Sequence, residues 1–201
     1  MKISVLSSKG DLPEIKPETI VRTYIRKIRP LAQAEIDWFI QQPSLDAAIE
    51  KAALAVNSRG KRYSHQRRLK MAALKRALGA LLDKSGAIRK ARDFDELFNL
   101  VGAAVTSITG IGELYVYDTS LRIGAKLNLF PAAVYLHAGT RAGARALGMD
   151  DRAKMLKVSA LPKPFRTLAP HELEDILCIF KDDLAQAAII QPEIVRRSWC
   201  D

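Results

Sequence analysis

At 201 residues the chain is long enough to bury a sizeable core and to form one domain of ordinary size. A hydrophobic fraction of 48% beside a charged fraction of 27% is that of a folded, water-soluble protein, and no apolar run approaches the roughly 18 residues of a membrane span. The net charge of +10, with an isoelectric point near 9.8, favours an anionic partner.

Residues 1–15 have Lys2 and then an apolar patch too short for a secretory signal, and they read as an arm or a short strand. Pro17 and Glu18 start a helix, with proline at the first helical position and an acid beside the positive end of the dipole. That helix is expected to reach about Ile28 and to stop before Pro30. A second, from Leu31 to about Gln42, carries Ile36, Trp38, Phe39 and Ile40 and is broken by Pro43. Ser44 caps a third, whose expected buried edge is Leu45, Ile49, Ala52 and Val56.

Residues 58–63 (Ser-Arg-Gly-Lys-Arg-Tyr) read as a loop, with Ser64 as the cap of a helix from Gln66 to Leu82. Met71, Leu74, Leu78 and Leu81 share one face of that helix. Lys84-Ser85-Gly86 ends it, and a basic connector leads to Asp93, which with Glu96 has the spacing of a capping box. From Ser58 to Arg92 there are twelve Lys or Arg against one acid, Asp83, so the positive excess of the whole chain is concentrated here. Tyr63 and His65 are interleaved with the arginines and offer stacking surfaces beside charge. A solvated helix face is the bland explanation of such a run; contact with a nucleic acid, or with an acidic protein, is the functional one.

The next stretch organises the chain. Phe94, Leu97, Val101, Ala104 and Ile108 recur at helical spacing, and after the sequence Thr109-Gly110-Ile111-Gly112 comes a second apolar helix with Leu114, Val116, Tyr117, Leu121, Ile123 and Leu127. Tyr115, Asp118, Thr119, Arg122 and Lys126 are expected as its narrow polar strip. The pattern hydrophobic-Gly-hydrophobic-Gly between two helices resembles the helix-hairpin-helix element of DNA-binding proteins. The resemblance implies a turn whose glycine N–H groups, with the free N–H groups of the second helix, form an anion nest that holds a phosphate without reading bases. Glu113, at the same helix end, opposes that role unless it points aside.

More loosely, residues 93–148 resemble the DNA glycosylases of this superfamily, whose hairpin is followed by a catalytic Asp opening the next helix. The corresponding stretch here, Ala132 to His137, holds no acid, and the lysine that bifunctional members carry after the second glycine falls near Leu114. The resemblance therefore implies binding without that chemistry. The segments Gly60 to Leu69 and Gly110 to Gly148 also resemble parts of uncharacterised bacterial proteins of similar length.

Beyond the hairpin a helix is expected from Thr140 to about Leu147, ended by Gly148. A rigid loop follows at Leu161 to Phe165, then an amphipathic helix after Pro170 with Leu173, Ile176, Leu177, Ile179 and Phe180. The last twenty residues read as weakly patterned helix. Cys178 and Cys200 lack metal or disulfide spacing, which leaves a reducing cytoplasm as the default. His65, His137 and His171 form no ligand motif; His171 is expected to be exposed and His137 structural. No metal or cofactor is implied. Asp118 and Arg122 have the spacing of a helix ion pair.

The reading is a single all-α domain of seven to nine helices: N-terminal helices over 1–92 with the basic segment 58–92, a helix-hairpin-helix core over 93–148, and C-terminal helices over 149–201. The expected function is non-catalytic nucleic-acid binding, DNA rather than RNA, without base preference. The contacts are assigned to Arg59, Lys61, Arg62, Tyr63, His65, Arg67, Arg68, Lys70, Lys75, Arg76, Gly110, Gly112, Arg122, Lys126, Arg141 and Arg145. The alternatives are a protein-interaction subunit of a mobile-element or defence system, and an enzyme built on Tyr135, His137 and Arg141.

Overall fold

A computed structural model describes residues 16–189, with side chains to 186; the N-terminal arm and most of the expected C-terminal segment lie outside the described residues. The architecture is all-α, with ten α-helices in these residues: α1 (Pro17–Lys27), α2 (Arg29–Ile40), α3 (Leu45–Ala53), α4 (Met71–Asp83), α5 (Ser85–Ile88), α6 (Phe94–Val105), α7 (Glu113–Leu127), α8 (Ala138–Ala146), α9 (Pro170–Ile179) and α10 (Lys181–Ile189). Two strands of two residues each, β1 (Val134–Tyr135) and β2 (Met155–Leu156), pair antiparallel with Val134 opposite Leu156. None of the helices is long and apolar enough to cross a membrane.

Side-chain caps set two helix starts where the sequence places them. The Ser44 hydroxyl accepts from the Ala47 N–H (3.1 Å), and Asp93 accepts from the Glu96 N–H (2.8 Å). The return bond of the second pair goes elsewhere: Glu96 accepts from the backbone N–H and the guanidinium of Arg92, which gathers the basic connector onto the helix start.

The helix expected from Gln66 to Leu82 begins five residues late. Residues Ser64–Gln66 form a single 3-10 turn, and α4 starts at Met71. Arg62 Nη1 takes the carbonyls of Leu69 (2.8 Å) and Arg67 (3.4 Å), acceptors a continuous helix would need for its own N–H groups. Arg67, Arg68 and Lys70 therefore lie in a loop. At its other end α4 stops at Asp83 and the chain turns into α5, which buries Ile88 completely, so the expected connector is itself partly helical and part of the core. Val56, expected on the edge of α3, lies beyond it and bridges to Arg62.

Two apolar clusters fill the interior. One joins α2 to α7 through Phe39, Ile49, Leu74, Leu81, Leu97, Val101 and Ile123. The other joins α1, β1 and α8 to α10 through Ile20, Tyr24, Val134, Phe165, Leu173 and Leu177. Phe94, Tyr117 and Tyr135 form a smaller aromatic group. α8 and α9 cross closely: a Cβ at Gly143 would overlap the Leu177 carbonyl, so glycine there sets the separation of the two helices. Burying one face of α9 delivers the acids Glu174 and Asp175 inward with Leu173, Ile176 and Leu177.

Candidate functional site

The glycine segment, residues 106–112, joins two helices, α6 and α7, into a helical hairpin. Gly110 adopts φ +93°, a conformation that strains any residue with a Cβ, whereas Gly112 is extended (φ −124°) and begins α7 with no side-chain cap. Neither glycine brings neighbouring atoms into close approach. The first glycine thus turns the chain and the second leaves the helix end open. The Glu113 carboxylate lies 3.3 Å from Arg141 Nη2, and Glu113 lines the cavity it shares with Arg141 rather than the cleft bordered by His65.

A cleft of about 230 Å³ lies between that turn and the basic loop, lined by His65, Gln66, Leu69, Gly110, Gly112 and Tyr115 among others. The loop and the glycine turn therefore share a face. Arg59, Lys61, Arg67, Arg68, Lys70, Lys75 and Arg76 are all exposed, and none of them forms an ion pair with a carboxylate of the described residues.

The remaining cations assigned to phosphate contact are engaged within the fold. Arg122 is only 8% exposed; its Nη1 donates to Gln66 Oε1 (2.9 Å), its Nη2 to Asp118 Oδ2 (3.2 Å), and its guanidinium lies 3.9 Å from the centre of the Tyr63 ring. Lys126 donates to the carbonyls of Ile40 and Gln42 at the end of α2. Arg141 donates to the carbonyls of Leu136, Asp151 and Ala153, and Arg145 pairs with Asp151. Arg62 holds the loop as described.

The expected polar strip of α7 is mostly interior: Tyr115 and Thr119 are buried, and Asp118 is the hub of a network. Its Oδ2 receives Gln66 Nε2 (2.8 Å) and Arg122 and lies 2.7 Å from His65 Nε2. Burial opposes its charge, but Arg122 and His65 outweigh that and hold the carboxyl below its ordinary range. The network ties the 3-10 turn to the hairpin and leaves the His65 side chain 45% exposed beside the cleft. On its other side is a second cleft of about 180 Å³, reached by Tyr63, His65, Asp118, Arg122, His171 and Asp175. There the Tyr63 hydroxyl donates to Glu35 (2.7 Å), and Tyr24 donates to Asp175 (2.9 Å).

His171, expected to be exposed, is half-buried against Phe130, and burial lowers its pKa. His137 is interior as expected, 1% exposed, with Nε2 bonded to Glu174. Tyr135, His137 and Arg141 do meet, on a cavity of about 530 Å³ between the hairpin and the β1–α8 segment. Tyr135 bonds Asp95, and Arg141 is occupied as above. Glu174 and Asp175 escaped the sequence reading, although Glu174, one residue after Leu173 and three before Leu177, falls inside the apolar stripe. No local signal marks Gln66 as a network member. No cluster of His, Cys, Asp and Glu among the described residues has the makings of a metal site. Comparison with family models, curated proteins and solved structures gives no match to this chain.

Proposed function

We propose that this protein binds nucleic acid through the phosphate backbone, without reading bases, on the face formed by residues 59–76 and the Gly110–Gly112 turn. One observation carries the reading: the loop whose exposed cations lack carboxylate partners among the described residues meets the uncapped, glycine-begun helix end across one cleft, which the loop lines through His65, Gln66 and Leu69. Unpaired cations gain most from phosphates because binding releases the condensed counterions of the strand. The N–H groups at the start of α7 have no intrahelical acceptors and add a short-range anion site. His65, its side chain 45% exposed, supplies ring surface on the same loop, beside a Tyr63 ring that Arg122 covers on one face. Arg122 holds the loop against the second hairpin helix, while Lys126, Arg141 and Arg145 already have acceptors elsewhere in the fold.

Titration of a labelled DNA duplex at several salt concentrations tests the proposal. If about five phosphates are neutralised, the log–log slope of affinity against salt is roughly −4 to −5. A slope near zero, or no binding at low salt, overturns it.

A further inference from the structure

The 530 Å³ cavity between α6, α7 and the β1–α8 segment lies apart from the basic loop and has the makings of a small-molecule site. Its volume falls within the roughly 300–1,000 Å³ of ligand pockets, which are largely apolar with a few placed polar groups. Its walls include Phe98, Val116, Tyr117, Tyr135 and Leu136, with the Phe98 and Tyr135 ring centres 4.5 Å apart.

Two atoms on its lining side chains have no internal partner. Tyr117 is 2% exposed and His137 1% exposed, yet Tyr117 Oη and His137 Nδ1 are buried without a hydrogen bond in the described structure. Leaving a buried hydroxyl or ring nitrogen unpaired is costly, so two on the side chains that wall one cavity call for a partner. Both act as donors. Burial and nearby acids keep the Tyr117 phenol protonated. Burial also pushes His137 down and Glu174 well up, which favours a neutral pair; in the tautomer whose Nε2 accepts from the Glu174 hydroxyl, the ring hydrogen sits on Nδ1.

The rim supplies charge. Arg141 donates to the carbonyls of Asp151 (2.8 Å) and Ala153 (2.9 Å), which flank Arg152, and Arg145 grips the Asp151 carboxylate. The loop presenting Arg152 and Lys154 is thereby stapled to α8. Both are exposed and line the cavity, and neither pairs with a carboxylate of the described residues; Lys154 reaches Asn99 (3.4 Å) and lies 5.4 Å above the Phe98 ring. Glu113 is the acid on the rim, and Arg141 offsets it.

We infer that this cavity binds a small heteroaromatic anion: a planar ring against Phe98 and Tyr135, its acceptor atoms on Tyr117 Oη and His137 Nδ1, and its phosphate or carboxylate on Arg152 and Lys154. This inference does not rest on the nucleic-acid reading.

Calorimetric titration of the full chain with two matched pairs tests it. The pairs are adenosine monophosphate with adenosine, and nicotinate with nicotinamide; inorganic phosphate and acetate serve as ring-free anions. At least one charged member is expected to bind with 1:1 stoichiometry, at least ten-fold tighter than its uncharged counterpart and than the ring-free anion; which pair does so tells phosphate from carboxylate. The double variant Arg152→Ala/Lys154→Ala weakens that binding ten-fold or more. Tyr117→Phe also weakens it, about five- to ten-fold, while melting no lower than wild type, because it removes a hydroxyl that has no partner in the fold. Arg67→Ala/Arg68→Ala, on the basic loop, leaves it unchanged. No binding of either charged ring at millimolar concentration overturns the inference. So does equal binding of the uncharged or ring-free compounds, insensitivity to both cavity variants, or loss of binding in the loop variant.

Discussion

Arg67 and Arg68 are exposed with no acid of the described residues against them, whereas Arg122, an equal charge in the sequence, is almost wholly buried and bound to Asp118 and Gln66. Both belong to stretches that a count of charge or a reading of helix faces marks as contact surface. The difference lies in what the fold offers each side chain. The loop arginines lie where no carboxylate of the described residues reaches them, and their charge is available to an outside anion. Arg122 lies on a helix packed from several sides, and its charge holds the 3-10 turn, Tyr63 and the hairpin together. A cation is evidence for a binding surface when it lacks an internal acceptor, and that property is tertiary.

The sharpest way to break this comparison is to remove the buried member. Arg122→Met leaves the Asp118 carboxylate largely desolvated with His65 and Gln66 as its remaining partners, and it strips the cation from the Tyr63 ring. Breaking a buried pair at one end costs about 3–5 kcal/mol, against about 0–1 kcal/mol for an exposed ion pair. Urea denaturation monitored by circular dichroism measures the difference. A loss under about 1 kcal/mol would show that the network is peripheral to folding.

The elements governed by local chemistry were legible in the sequence. Ser44 and Asp93 cap their helices because a short acceptor at that position needs only its own next turn. The apolar stripe of α9 and the need for glycine at position 110 follow likewise from period and turn. What was illegible depends on partners distant in sequence. Residues 67–70 leave the helix because Arg62 takes the carbonyls of Arg67 and Leu69, and the polar strip of α7 turns inward because Gln66 and His65 arrive from 52 and 53 residues away to satisfy it. The β1–β2 pair is too short to print an alternating pattern. Of the candidate site, the loop cations and the glycine turn could be read, but their adjacency could not, and Arg152 and Lys154 on the second cavity had no local sign.

Proton linkage tests the buried side at intermediate cost. Burial, then the neighbouring Glu174, raises Asp175 to about 8, and burial raises Glu174 as well. Between the ordinary carboxyl range and pH 8 the folded chain thus keeps protons that the unfolded chain has released. The stability associated with them is full at low pH and is lost as pH rises. His137 and His171, lowered by burial, act in the opposite sense, but their contribution is present above about pH 6.5 and is lost below it. From pH 6.5 to 8 the carboxyls govern, and stability is expected to fall. Asp175→Asn should make that fall smaller by about 1–2 kcal/mol, read from urea midpoints at the two pH values. Identical pH dependence in the two proteins would mean that Asp175 is ionised in the fold.

The smallest stability effect belongs to the exposed side, and there the comparison is most exposed to failure. The described structure gives the Arg67 and Arg68 side chains no hydrogen bond or ion pair; the Arg67 backbone is used, its carbonyl by Arg62 and its N–H on the Ser64 carbonyl, and substitution preserves both. Arg67→Ser/Arg68→Ser should therefore shift folding stability by no more than about 0.5 kcal/mol, the range of ordinary surface changes. If both arginines meet phosphates, the same variant should flatten the salt slope of duplex binding by about 2, close to one for each contact removed. The two readouts separate the roles. A large stability loss would place these arginines in the same structural class as Arg122. An unchanged slope in a stable variant would show that unpaired charge on this loop does not meet the strand, and the contact surface would then have to lie elsewhere on the molecule.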